Sequence, residues 1–312
     1  MQDHQPDQTV VPPGYAAGSR LPWRAKLALK LAIGALRLPA GALRRAGVNR
    51  HSFVTDAEDR LVREPVNHVA RFTALHGRPP RGVLELGPGR LVTRAATYAA
   101  LGCGPVWFAD VEEDAPREAA PYAAAAAMAR AAGLPAPNLS AARDREAALA
   151  ACGAHYLIGG TEALLAIPDG AVELVLSDVV LEHVRRDALP GLLLALRRVS
   201  APVSLGAHAV DFHDHVGGAL NTRRFAPRFW EGALVGRSGL YVNRLGLSQL
   251  RAAFAEAGFA TRAVQTRLWP APPPGAETAH PAVRRPADDD LIAFARIEAE
   301  PLTGAGPATE PP

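Results

Sequence analysis

Residues 81 to 94 read RGVLELGPGRLVTR, an apolar run that closes on the carboxylate of Glu85 and gives way at once to Gly87, Pro88 and Gly89. Such a strand end exposes main-chain N–H groups to a nucleotide, and glycines let the ligand approach closely. A pyrophosphate fingerprint needs a third glycine for close helix packing, and that position is Val92. The next apolar run, VWFAD, ends at Asp110, roughly 20 residues on, where a carboxylate can accept hydrogen bonds from ribose hydroxyls. Glu85 stands where the ligand's cationic end would face it. The combination points to a nucleoside without phosphates that carries a positive charge. The plainer reading, a tight turn followed by a helix cap at Asp110, leaves the acid before the glycines unexplained.

A second concentration of polar chemistry is HAVDFHDHVGG, which holds His208, Asp211, His213, Asp214 and His215. Imidazoles with an ordinary pKa of ~6.5 are natural proton acceptors near neutral pH. His213 and His215 alternate, so an extended chain puts both on one face. Their ordinary alternative is satisfying loop backbone groups. A metal held by Asp211, His213 and His215 is conceivable, but oxygen and imidazole ligands alone do not fix one, and no metal is assigned. About 35 residues then separate this stretch from the next helix, more than a connection needs, and insertions at a ligand-bearing sheet edge are often lids. It carries Phe225, Phe229, Trp230, Tyr241, Asn243 and Arg244, enough aromatic surface and hydrogen-bonding capacity to cover a small polar substrate; its own packing accounts for some of them.

The elements that must hold these groups alternate. Strands are expected at 83–86, 105–111, 154–159, 172–177, 203–211, 259–268 and 289–297, with helices at 91–101, 121–132, 188–199 and 247–257. Short apolar strands interleaved with helices imply a mostly parallel sheet covered on both faces. Only a Pro-rich stretch joins the last two strands, so the final one is expected to return antiparallel.

Of 312 residues, 48% are hydrophobic, enough for a sizeable core. The net charge is +3, carried almost wholly by Arg with Lys only at 26 and 30, and aromatics are 6%. That balance argues against a nucleic-acid partner. Cys103 and Cys152 have neither metal nor disulfide-framework spacing and read as buried apolar residues in a reducing compartment. No apolar run reaches the ~18 residues of a membrane span and no secretory signal is evident, so the expected location is cytoplasmic. Residues 1–19 and 301–312 are expected to be disordered tails. The segment 20–70 reads as a basic helical N-terminal region, with Trp23, Leu27, Leu31 and Leu38 near helical spacing. It either caps the main domain or makes weak peripheral membrane contact through residues 20–50. The main domain is expected to span 71–300, with the insertion at 212–246.

Taken together, VLELGPGR, FADVEED, IPDGAVELVLSDVVLEHV and the strand order resemble class I S-adenosylmethionine-dependent methyltransferases of the type-11 methyltransferase-domain kind, over about residues 80–300. DFHDHVGGALNTRRF, FWEGALVGRSGLYVNRL and RRAGVNRH resemble a bacterial subfamily linked to glycan and secondary-metabolite clusters. The resemblance implies a Rossmann-like, doubly wound α/β fold with a seven-stranded, mostly parallel sheet, and S-adenosyl-L-methionine as cofactor. By the same resemblance, Glu85, Gly87 and Gly89 surround the methionine and ribose parts and Asp110 binds the ribose. Val111 lies against the adenine, Thr161 and Glu162 contact its edge, and Ser177 and Asp178 line the site. Thr161 stands where many relatives have Asp, and SAPVS at 200–204 replaces the usual Lys-Pro-Gly-Gly turn.

The expected reaction is methyl transfer to a small-molecule or glycan-type acceptor, with an oxygen acceptor needing a base. His215 is the first candidate, because DH before the glycines matches the subfamily, with Asp214 or Asp211 orienting it; His183 of LEHV, beside Glu182, is the second. His213, Trp230, Tyr241, Asn243 and Arg244 are the expected substrate-binding residues. Two alternatives are an NAD(P)-dependent oxidoreductase and a non-catalytic binding module on the same fold.

Overall fold

A computed structural model describes residues 6–12, 22–36 and 57–302. The strands are β1 (Asp7–Val10), β2 (Val83–Leu86), β3 (Val106–Asp110), β4 (Ala154–Ile158), β5 (Val172–Asp178), β6 (Ser200–Asp211), β7 (Phe259–Leu268) and β8 (Ile292–Pro301). They form one sheet in the order β1-β7-β8-β6-β5-β2-β3-β4. β8 runs antiparallel to β6 and β7, and every other pairing is parallel. The fold is therefore the expected doubly wound α/β sheet with an antiparallel return, the Rossmann-like class. It has eight strands rather than seven: Asp7–Val10, expected within a disordered tail, add to the edge beside β7, and the Val11 N–H donates to the Leu268 carbonyl.

The described helices are α1 (Trp23–Ala35), α2 (Glu64–His76), α3 (Ala95–Ala100), α4 (Ala120–Ala131), α5 (Arg145–Ala151), α6 (Leu189–Val199), α7 (Pro227–Trp230), α8 (Ala233–Arg237) and α9 (Leu247–Glu256). Alternate strand residues divide between two cores. Leu84, Leu86, Val172 and Val175 pack with α6 and α9. Val83, Phe108, Leu174 and Leu176 pack with α2 to α5. Both faces are covered, which is why the central strands read as apolar runs without polar alternation. Cys103 and Cys152 lie buried and unbonded to each other, with burial pushing their thiols up to about 12 and about 11.

The last strand, expected at 289–297, runs Ile292–Pro301, the helix Arg145–Ala151 was not among those expected, and two further boundaries differ. The stretch expected as helix 91–101 begins as a tight 3-10 turn, Gly89–Arg94, before α3. β6 begins at Ser200, not 203: Ser200 pairs with Val172 and the next pair is Leu205 with Leu174, so residues 201–204 swing out of register.

The insertion at 212–246 has its own small core. Val216, Trp230, Val235, Leu240, Tyr241 and Val242 enclose one another and receive Leu27 from α1, with Trp23 and Leu31 at its margin. Gly34 of α1 lies so close to the backbone of Leu234 and Ser238 that an added Cβ would sit 3.1–3.2 Å from it. The apolar stripe of the basic N-terminal helix is thus spent on the insertion. The helix packs on the insertion through these residues, while Leu29 and Leu36 are exposed. Residues 37–56 and 303–312, with Leu38 and RRAGVNRH among them, lie outside the described residues. No described helix is long and apolar enough to cross a membrane.

Candidate functional site

In a doubly wound sheet the ligand crevice opens at the carboxyl ends of the strands where the winding reverses, here between β2 and β5. Gly87 and Gly89 adopt left-handed conformations, φ +59° and +52°, that other residues rarely take. Gly87 is also sterically required: an added Cβ would lie 2.6 Å from Val180 Cγ2. The turn is fastened to the end of β3. The Gly87 N–H donates to the Ala109 carbonyl, and the Gly89 N–H donates to Asp110 Oδ2 at 3.0 Å. Asp110 Oδ1 accepts from the Val111 N–H at 2.7 Å, and the Asp110 carbonyl accepts from both Gly159 and Gly160, the first residues after β4. Three loops therefore meet at Asp110, two at its half-buried carboxylate and the third at its main-chain carbonyl; burial raises the carboxyl pKa while the Gly89 and Val111 N–H groups oppose the rise. Beside it Val111 is 73% exposed, a bare apolar platform on which a flat ring can rest. Thr161 and Glu162 follow Gly160, the latter exposed, in a short 3-10 turn.

Glu85 does not stand open to a ligand cation. Its carboxylate accepts from Arg94 Nε at 2.8 Å, from a second Arg94 nitrogen, and from the Tyr98 hydroxyl. Arg94 also donates to Glu64 Oε2 and to the Arg60 carbonyl, each at 3.2 Å. Both members of the pair are buried. Burial raises the Glu85 carboxyl, and the Arg94 guanidinium opposes that rise. The reason is strand alternation: Glu85 points to the face covered by α2 and α3, where Arg94 waits at the end of the glycine turn. Ser177 is likewise engaged, its hydroxyl 2.8 Å from His208 Nδ1, with His208 lowered to about 4 by burial and by His68.

The carboxylate left at this edge is Asp178, half exposed and paired with Arg60 Nη2 at 2.7 Å. Val179, immediately after it, is held at φ +56°, a strained conformation for a β-branched residue and of the kind found at binding sites. Beneath α2 a cavity of about 200 Å³ is lined by Glu64, Asn67, His68, Glu85, Asp178 and Glu298 among others. Burial, then Arg94, holds His68 down to about 4. Nothing local in the sequence marks Arg60, Arg94 or His68; the only clue to Arg94 is its place at the end of the glycine turn.

Next along the edge, β5 and β6 deliver a second cluster. His215 Nε2 lies 3.2 Å from His183 Nε2, the rings stacked 5.0 Å apart at 21°. His183 Nδ1 is 2.9 Å from the Tyr241 carbonyl, and His213 Nδ1 is 3.2 Å from the Asp214 carbonyl. His213 Nε2 is 3.5 Å from Asp211 Oδ2. Glu182 Oε1 accepts from the Asp211 N–H, while Oε2 is buried without a hydrogen-bond partner. Burial and the neighbouring Asp211 push the Glu182 carboxyl well above its ordinary range. Burial lowers His213, but Asp211 outweighs it and the net shift is upward. His215 is lowered to about 4 by burial, His183 and His213. It is therefore neutral near pH 7 and a weaker proton acceptor than its unperturbed type.

Asp214, Trp230, Tyr241, Asn243 and Arg244 are engaged differently from the expectation. Asp214 does not orient His215: its carboxylate accepts N–H groups of Val216, Gly217, Asn221 and Thr222 and ties the insertion's first loop. Trp230 is fully buried, its indole N–H on the Val242 carbonyl. Tyr241 donates to Glu231, and Asn243 donates to the Leu181 and Val184 carbonyls. Arg244 pairs with Glu231 and the Phe225 carbonyl. These four fasten the insertion to the 181–186 segment and to itself, so they are architecture and not a substrate surface. Nor is the insertion a loose lid. The Leu220 N–H donates to the Pro274 carbonyl and Arg223 donates to the Val283 carbonyl.

No protein-family model and no curated protein matches the sequence. Solved structures do. The chain is similar to the YcgJ protein of Bacillus subtilis at 13% identity, covering 78% of this chain and 100% of that one, with a TM-score of 0.44. It is similar to the 1,6-didemethyltoxoflavin-N1-methyltransferase of Burkholderia thailandensis, solved with 1,6-didemethyltoxoflavin and S-adenosylhomocysteine, at 15% identity over 91% and 92% of the two chains, TM-score 0.44. An S-adenosylmethionine-dependent methyltransferase from Mesorhizobium loti aligns at 16% identity over 78% and 97%, TM-score 0.40. At these scores the fold class rests on the strand order above, not on the likenesses.

Proposed function

We propose that this chain is a cytoplasmic S-adenosyl-L-methionine-dependent methyltransferase, of the type-11 kind, that methylates an oxygen of a small-molecule or glycan-type acceptor in biosynthesis. The observation that carries the reading is the meeting of three strand-end loops at Asp110 beside an exposed Val111, with no third glycine for a pyrophosphate. Asp110 takes the ribose hydroxyls, Val111 the adenine face, and the 160–162 loop the adenine edge. With Glu85 neutralised by Arg94, the zwitterionic amino-acid end of the cofactor meets the Arg60–Asp178 pair, guanidinium to carboxylate and carboxylate to ammonium. The acceptor hydroxyl is activated at the His183–His215 pair, next along the sheet edge. Methyl transfer from a sulfonium is an in-line displacement, and holding nucleophile, methyl carbon and sulfur in line supplies much of the acceleration.

The test is cofactor-dependent methylation of a panel of hydroxylated acceptors by the full chain, with S-adenosylhomocysteine release as the readout. Thermal shift with NAD+ in parallel separates the oxidoreductase reading. Ligand at a hundredfold its Kd adds about 2.7 kcal/mol of stability, expected with S-adenosylmethionine and not with NAD+.

A further inference from the structure

We propose that His183, His213, His215 and Asp211, with Glu182 behind them, form a binding site for one divalent transition-metal ion of the zinc or cobalt class.

Two overlapping sets bring their ligand atoms within 4.8 Å of one another: Asp211, His213 and His215, and Glu182, His183 and His215. Each set is two imidazoles and a carboxylate, and His215 belongs to both. The tautomers are fixed by main-chain carbonyls, which only accept. His183 Nδ1 faces the Tyr241 carbonyl and His213 Nδ1 faces the Asp214 carbonyl, so each Nδ1 carries a proton and each Nε2 is turned toward the cluster. The His183 Nε2 lies 3.2 Å from His215 Nε2, and the His213 Nε2 lies 3.5 Å from Asp211 Oδ2. An imidazole whose second nitrogen donates to a carbonyl is the usual arrangement of a metal-bound histidine.

The spacing agrees. Two nitrogens about 2.05 Å from a tetrahedral zinc ion are about 3.3 Å apart, and the His183 and His215 Nε2 atoms are 3.2 Å apart. Glu182 adds an independent sign: Oε2 is buried, has no hydrogen-bond partner, and belongs to a residue only 3% exposed. A cation is the partner such an oxygen lacks. Three imidazoles and carboxylates suit zinc, cobalt, nickel or iron, whereas magnesium and calcium favour oxygen alone. The strand ends supply the rigidity, Glu182 and His183 just beyond β5 and Asp211 to His215 at the end of β6. The proposal does not rest on the methyl-transfer reading, because metal binding is read without cofactor or acceptor.

The experiment uses the untagged full chain, stripped with chelator and titrated with Co2+, then with Zn2+ in competition. One equivalent of cobalt with the visible bands of a four- or five-coordinate nitrogen site, displaced by zinc, is expected. His215→Ala and Asp211→Asn each weaken binding by at least roughly tenfold, with circular dichroism confirming that the variants fold. His155→Ala, on β4 and outside the cluster, leaves the titration unchanged. No cobalt bound by the folded wild type overturns the proposal, as does binding that both cluster variants leave undiminished. The first result would make the His183–His215 contact an N–H···N hydrogen bond and the His213–Asp211 contact an ordinary ion pair.

Discussion

The main-chain N–H of Gly89 donates to the carboxylate of Asp110 across 3.0 Å, joining the turn after the first core strand to the end of the second. This bond fixes the carboxylate's orientation, because Asp110 accepts from Val111 with its other oxygen and cannot turn away without losing both. The carboxylate is held in place before any ligand arrives, which lowers the ordering cost of binding.

Gly87→Ala tests the turn itself. A left-handed conformation costs a non-glycine residue about 1–2 kcal/mol, and the new methyl would also press on Val180 at 2.6 Å. Urea unfolding should show at least that loss. Adding Val180→Ala should restore only the part due to the clash. Full recovery would show that the left-handed angle is not required.

Glu85 is expected to matter to stability more than to cofactor charge recognition. Removing one partner of a buried ion pair costs about 3–5 kcal/mol, and Glu85 and Arg94 are 2% and 4% exposed. Glu85→Ala should therefore lower the unfolding free energy by an amount in that range. A fully stable Glu85→Ala protein with lost cofactor binding would return Glu85 to the ligand.

Burial holds His68 and His208 at about 4, against 6.5 in the unfolded chain. Between those values the unfolded chain binds more protons, so stability is fully present above pH 6.5 and falls as pH drops toward 4. Chemical unfolding at stepped pH should show that decline. His208→Asn, which keeps a polar atom near Ser177 Oγ without a titrating ring, should make it shallower. An unchanged slope would contradict the assignment.

Asp214→Asn should loosen the insertion and leave cofactor binding alone. Hydrogen bonds to a charged group contribute about 1.5–3 kcal/mol each, and this carboxylate gathers four backbone N–H groups. Faster proteolysis within 212–246 and unchanged cofactor affinity are expected; intact protection would show that the loop holds without the charge.

What could be read in advance follows the range of the interactions involved. The glycine turn, Asp110 and the strand order are local patterns of type and spacing, and they stand in the structure where the sequence put them. Strand alternation decides which face Glu85 meets, and Arg94 is recognisable as its partner only once the turn is folded. Trp230, Asn243 and Arg244 have the chemistry of a binding surface, yet a long insertion must first build its own core, and that use absorbed them. The pairing of His183 with His215 joins the ends of two adjacent strands, which no local pattern reveals. The edge strand Asp7–Val10 has no local signature, because four half-polar residues carry no periodic signal until β7 offers them an edge.

The central claim is that Asp110 anchors the ribose of S-adenosylmethionine, and calorimetry of that cofactor with the wild type and Asp110→Ala tests it most directly. The account predicts one molecule bound per wild-type chain and an affinity roughly 10- to 100-fold weaker in the variant, the loss expected for hydrogen bonds to a charged acceptor. No heat of binding with the folded wild type, or an affinity that Asp110→Ala leaves unchanged, would contradict it.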